Sequence, residues 1–185
     1  MQPVKFLWGL RGMFYKLYWG KFGKISYIGK PTFIEGARNI YVGDRTRIFP
    51  GIRLQAIEGG VIRIGNNCAI GQCAHVVAMG EELVIGSDCA ISQYSIILNV
   101  DHNIEDINKS VMDSGHIVKT TKIGDGCFIG HGAVICAGTI LGKHCIVGAN
   151  AVVKGKYPDY CILGGVPAKV IKKYNLETEE WERIK

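Results

Sequence analysis

The chain has 185 residues, 48% of them hydrophobic and 25 of them glycine, with a formal net charge of +6. That size suits one domain with a real core, and the glycine count exceeds the usual ~7% share. No uncharged apolar stretch reaches the ~18–20 residues of a membrane span. Lys5, Arg11 and Lys16 also interrupt every early apolar run, so no secretory leader is expected and a cytoplasmic setting is.

Residues 1–24 carry Lys5, Arg11, Lys16, Lys21 and Lys24 with no acid, and Phe6, Trp8, Phe14, Tyr15, Tyr18, Trp19 and Phe22 stand between them. Segment 1–27 is expected to be helical and to pack as a cap over the open end of the domain that begins at Ile28. Its aromatic and basic mixture also suits contact with an anionic inner-membrane surface. Aromatics without an RNP or OB pattern are poor support for nucleic acid, which is not an expected partner.

From Ile28 an aliphatic residue recurs every six positions, loosely at Ile28, Ile34 and Ile40, then strictly at Ile123, Ile129, Ile135, Leu141, Val147 and Val153. A period of six matches neither a helix nor a lone strand, so each unit is a strand plus a turn. Gly follows the aliphatic residue at Gly124, Gly130, Gly142 and Gly148, where a corner needs a backbone that a Cβ would obstruct. Such units bury their apolar side only by stacking, and the reading is a β-solenoid.

Coils open at Val42, Ile64, Ile85, Ile123 and Leu141, about eighteen residues each, which leaves four extra residues around 57–60, three around 79–82 and twenty after Ile85. Four of the seven cysteines, Cys68, Cys89, Cys127 and Cys145, lie four residues after the aliphatic that opens a coil. Stacking makes them a ladder of small buried side chains. With no CxxC pair, core filler is expected, and neither a metal site nor a disulfide framework. Cys73, Cys136 and Cys161 show no partner pattern.

The excursion 99–121 has no packing reason to exist, and long insertions in a strict repeat usually carry function. It gathers Asp101, His102, Glu105, Asp106, Asp113 and His116. A His beside acids at the root of a loop suits a general base held by an orienting partner; an idle polar loop is the alternative. The tail 172–185 runs from acidic to basic, complements a helix dipole and is expected to be a short helix.

Repeat, loop and the closing run GGVPAKVI (164–171) together resemble the hexapeptide-repeat acyltransferases, most closely the bacterial sugar O-acetyltransferases. These include the maltose and galactoside enzymes and those that decorate O-antigen and capsule. The resemblance implies an all-β, triangular, left-handed parallel β-helix over 28–171, between a short N-terminal helical segment and a C-terminal helix. It implies a homotrimer with sites between subunits, acetyl-CoA as acyl donor, and a sugar or glycan acceptor in lipopolysaccharide or other surface-polysaccharide biosynthesis. The family's catalytic His falls on His102, eleven residues after Ile91. Its phosphate-binding cations fall on Lys169 and Lys172, with Lys154 and Lys156 near the same edge. Gly130, Gly148 and Ala149 fall where the pantetheine arm is lined, and His131 beside them.

The expected acceptor contacts are Tyr94, Asn99, Asp101 and Phe128. Tyr94 and Phe128 replace an Asn and a Trp of the maltose branch, so that specificity is not implied. Three rival readings stand: an N-acetyltransferase acting on an amino sugar or other small amine, an inert solenoid scaffold, and a γ-class carbonic anhydrase. The last binds zinc through three His, two of them four residues apart, and no two His here have that spacing.

Overall fold

In the computed structural model, which describes residues 3–184, the six-residue period becomes a three-sided parallel solenoid of six full turns and part of a seventh. Face 1 stacks seven strands from Lys21–Phe22 to Lys156–Tyr157. Face 2 runs from Tyr27–Ile28 to Cys161–Gly165 and continues into two antiparallel strands. Face 3 stacks six strands from Phe33–Glu35 to Val152–Val153. Met1, Gln2 and Lys185, the ends of the expected N-terminal segment and tail, lie outside the described residues.

The register follows the repeat: Val42, Ile64, Ile85, Ile123 and Leu141 stand directly above one another on face 1. Strand side chains alternate, so each aliphatic points inward and its neighbour outward. Ile62, Ile70, Ile97, Ile123 and Ile129 have no exposed surface, and they form one continuous core.

The corner from face 1 to face 2 is the most regular part. Each coil there places one residue in the left-handed region: Ile25, Arg45, Asn67, Asp88, Gly126, His144 and Tyr160. In most coils the residue before it braces the turn of the preceding coil. Asp44 accepts from Lys24 N–H at 2.7 Å, Asn66 from Asp44 at 2.8 Å, Asp125 from Ser87 at 2.8 Å and Asp159 from Lys143 at 2.7 Å.

The residue after it is the expected ladder, extended at both ends. The hydroxyls of Ser26 and Thr46 and the thiols of Cys68, Cys89, Cys127 and Cys145 each donate to a carbonyl of the next coil at 2.8–3.2 Å. Cys161 is the next buried rung. The adjoining thiol in the column and burial push Cys89 and Cys127 up to about 12. These are core groups, not nucleophiles.

The solenoid begins earlier than Ile28. Lys21–Phe22 already pairs with Tyr41 and Val42, and Phe22 and Trp19 fill the first coil where later coils use aliphatics. Helix α1 (Pro3–Tyr15) caps that end. Arg11 donates to Ile28 O at 3.2 Å, and a Cβ on Gly12 would meet the Phe22 ring at 2.8 Å.

The tail is not a helix. Ala168–Asn175 and Glu180–Arg183 form an antiparallel hairpin, with Asn175 Oδ1 accepting from Glu177 N–H at 2.9 Å and Tyr174 against Trp181 at 5.3 Å. Local helix preference is a weak prior, and here the backbone of Cys161–Gly165 offers Ala168–Asn175 a full set of partners.

Candidate functional site

All three insertions fall at one corner, where face 3 returns to face 1. Residues 57–60 and 79–82 make its second and third turns, with Gly80 N–H donating to Ile57 O at 3.2 Å. The third insertion, 99–121, leaves the wall as a two-stranded ribbon. Val100–His102 pairs antiparallel with His116–Val118, so that Val100 faces Val118, Asp101 faces Ile117 and His102 faces His116. The two imidazoles lie 4.9 Å apart between ring centres, tilted by 38°, and both side chains are exposed. Beyond them the tip is largely exposed, including a short turn at Val111–Asp113 capped by Ser110.

Asn99 holds the stem. It has no exposed surface; its Oδ1 accepts from Met79 N–H at 2.8 Å, and its Nδ2 donates to Met79 O at 3.1 Å and Glu81 O at 3.3 Å. Its carbonyl accepts from Lys119 N–H at 2.8 Å, which ties the outgoing strand to the returning one. Thr121 Oγ1 donates to Leu98 O at 2.9 Å and accepts from Gly138 N–H at 3.0 Å. The expectation that Asn99 contacts an acceptor is therefore corrected. Its amide is consumed by buried backbone, and its role is to aim the ribbon.

The loop carboxylates do not orient His102. Asp101 accepts the backbone N–H of His102 at 3.0 Å, and Asp106 accepts that of Asn108 at 3.0 Å. Among the described residues none of them is bonded to the imidazole. Cys136 follows Val134–Ile135 of face 3, and burial raises its thiol, with Lys154 opposing and Asp101 adding to the shift.

A second group of expected residues lies elsewhere, on face 2 and its corner with face 3. Tyr94 is exposed in the left-handed region, with φ 60, and its ring meets His131 edge-on at 5.5 Å. Phe128 is 44% exposed between Ala90 and Ile146. Gly130 N–H donates to Val147 O and Gly148 N–H to Leu163 O, both at 2.8 Å. A Cβ on Gly130 would lie 2.6 Å from Ala149 N, so the coils close up only because it is glycine. Gly148 is half-buried, and Ala149 and His131 are exposed.

The cations gather at the C-terminal end. Tyr157 Oη lies 3.1 Å from Lys154 O and 3.3 Å from Ala168 O, which brings Lys154 and Lys169 to one place. Lys172 pairs across the hairpin with Arg183. Among the described residues none of these four cations has a carboxylate partner, an arrangement that can hold phosphate oxygens. One chain does not bring His102 to Tyr94 or Phe128, since they leave different corners. His116 as the partner of His102 and Tyr157 as the link between lysines were not singled out from sequence. The matching triplets VDH and HIV were the available signal for the first; the second had none.

Residues 120–155 match the family of bacterial transferase hexapeptide (six repeats). Over 162 residues the chain is 35% identical to WbbJ of Escherichia coli, whose name assigns it O-acetyl transfer in lipopolysaccharide biosynthesis; the match covers 83% of this chain and 81% of WbbJ. Rv3034c of Mycobacterium tuberculosis, named as an acetyltransferase, is 31% identical over 91% of this chain, which spans about half (53%) of that relative. Among solved structures, the polySia-specific acetyltransferase NeuO is 27% identical with a TM-score of 0.67, covering 80% of this chain and 68% of that one. The N-acyltransferase AntD of Bacillus cereus, in complex with dTDP and 3-hydroxybutyryl-CoA, shares the fold at 20% identity, a TM-score of 0.74 and coverage of 91% and 90%.

Proposed function

The chain belongs to the hexapeptide-repeat acetyltransferase family, and we propose that it transfers an acetyl group from acetyl-CoA to a sugar hydroxyl of a bacterial surface glycan, with His102 as general base. The observation that carries this reading is the ribbon: an exposed imidazole held off a rigid wall by a fully buried, fully bonded Asn99. The likeness to WbbJ supports a lipopolysaccharide-type acceptor.

A sugar hydroxyl is too weakly acidic to attack a thioester unaided. His102, with an unperturbed pKa of ~6.5 for its type, can take the hydroxyl proton as the new C–O bond forms. It then returns the proton to the departing thiolate as the C–S bond breaks, so no acyl-enzyme is needed. The cysteine column is buried and cannot supply a thiolate nucleophile. Lys154, Lys169 and Lys172 are the proposed partners of the donor's phosphates. Gly130, His131, Gly148 and Ala149 would line its thiol-bearing arm, and Tyr94, Asp101 and Phe128 the acceptor pocket.

Because His102 and the Tyr94–Phe128 group leave different corners, the reading includes a homotrimer in which the ribbon of one copy meets face 2 of the next. Left-handed winding and a cytoplasmic setting, where acetyl-CoA is supplied, belong to the same proposal.

The test is thiol release from acetyl-CoA over a panel of sugars, nucleotide sugars and lipid-linked glycans. His102→Ala, an exposed change that leaves the core untouched, is expected to lower acceptor-dependent release by ~10²-fold or more. Release that survives the substitution would move the chemistry off His102. Transfer confined to amine acceptors would replace O-acylation with N-acylation.

A further inference from the structure

Helix α1 carries only two charged residues, Lys5 and Arg11, and its apolar residues extend well beyond the one side that has a partner. Trp8 lies 5.9 Å from Tyr27 and 6.0 Å from Phe49, Gly12 admits the Phe22 ring, and Tyr15 stacks on Trp19 at 5.3 Å. The opposite side repeats at helical spacing as Phe6, Leu7, Leu10, Met13 and Phe14 and continues into Leu17; these residues are 47 to 77% exposed. A helix with apolar residues on two sides normally buries both. With thirteen residues α1 is too short to cross a bilayer.

Ile25 supplies an independent sign. It is 84% exposed and sits in the left-handed region, with φ 58. The other coils place Arg45, Asn67, Asp88, Gly126, His144 and Tyr160 at this corner. A β-branched residue is the least suited of all to that conformation, and an exposed one gains nothing from water in return. With Phe6, Leu10 and Met13 it lines an open groove of about 430 Å³.

Around this surface cations predominate, with Asp44 beside Ile25 as the exception. Lys5, Arg11, Lys16, Lys21, Lys24 and Lys30 precede the first acid of the chain, Glu35. Among the described residues none of the six is ion-paired; the nearby Asp44 accepts the backbone N–H of Lys24. A second copy would set like charge against like. Nucleic acid would leave the aliphatic row uncovered. An anionic bilayer satisfies both the apolar row and its rim.

We propose that this end of the solenoid docks on an anionic phospholipid surface, with the outer row of α1 and Ile25 at the acyl boundary and the lysines among the headgroup phosphates. The inference goes beyond the acyl-transfer reading and does not depend on it. The ribbon leaves the fourth strand of face 3, three steps of ~4.8 Å above the first. A docked chain therefore holds His102 a short, fixed height above the lipid.

The experiment is co-sedimentation of the full chain with vesicles of phosphatidylcholine alone or mixed with phosphatidylglycerol. Binding is expected only to the mixed vesicles and is expected to fall steeply at ~0.5 M salt. The variant Lys16→Gln/Lys21→Gln/Lys24→Gln should lose about 100-fold in affinity, roughly fivefold per cation. Ile25→Asn should weaken binding while raising the melting temperature by about 2–4 °C, two shifts that a merely structural Ile25 could not combine. No sedimentation with anionic vesicles would overturn the proposal, as would equal binding to neutral ones at all salt concentrations. A fall in oligomer mass in Met13→Ser/Leu17→Ser, with vesicle binding unchanged, would make the row a copy-to-copy interface instead.

Discussion

Two corners of the same prism solve the same turning problem in opposite ways. Where face 1 meets face 2, most coils repeat one device: an acceptor side chain bracing the turn of the preceding coil, a left-handed residue, and a small donor bonded to the next coil. Where face 3 returns to face 1, no two turns match in length, and the bonds that hold them, Asn99 to Met79 and Thr120 to Glu81, occur once each. The first corner can tolerate little, because an error propagates up a column. The second can carry a ribbon without disturbing the coils that support it, since Asn99 and Thr121 close the stem beneath. Strict repetition makes the wall rigid, and the broken repeat puts the proposed chemistry on it.

That contrast can be broken from either side. The largest effect is expected at the regular corner: a Cβ on Gly65 would lie 2.6 Å from the backbone of Gly86 and Ser87, so Gly65→Ala should cost about 3 kcal/mol in urea or thermal unfolding. Next comes Asn99→Ala, which strands the Met79 N–H in a buried stem. It should cost about 2 kcal/mol and lower acyl transfer by more than the lost folded fraction explains. An activity unchanged per folded molecule would show that the ribbon needs no aiming.

Cys127→Ala removes a donor to Gly142 O and should cost about 1 kcal/mol. Cys127→Ser should cost less, because Ser26 and Thr46 make the same bond in earlier coils. The smallest effect belongs to the flat wall of face 3. Burial, helped by Arg53, holds His75 below its ordinary pKa. A depressed folded-state value means that stability is lost as pH falls below about 6.5, the unfolded His value. His75→Gln should flatten that acid-side slope and leave neutral stability unchanged.

Legibility from sequence divides along the same line. The period of six was plain in residues 123–158, and the cysteine column from Cys68 to Cys145, because equivalent units there face like neighbours. The ribbon could be foreseen as an insertion, and His102 was named as its candidate base through a family likeness. Its β pairing with His116 was hidden in a stretch rich in turn formers. The first coil was missed because Phe22 and Trp19 stand where aliphatics mark the others. The C-terminal hairpin was missed because charge order along 172–185 is local information, whereas the strand that recruits it begins well upstream, at Cys161. Asn99 reads as a polar loop residue; only its burial shows it to be a rivet.

A stack of parallel coils has no intrinsic last member, since its top and bottom present matching rows of free amides and carbonyls. Here α1 lies over the first row. At the other end, faces 1 and 3 stop at two-residue strands, Lys156–Tyr157 and Val152–Val153, flanked by Lys154 and Lys156, and face 2 is turned back on itself by the hairpin of Ala168–Asn175 and Glu180–Arg183. A head-to-tail contact between such ends would not close into a ring; it would grow as a fibre. The cap and the hairpin therefore do more than finish the fold: they set its length and keep a self-templating architecture from propagating.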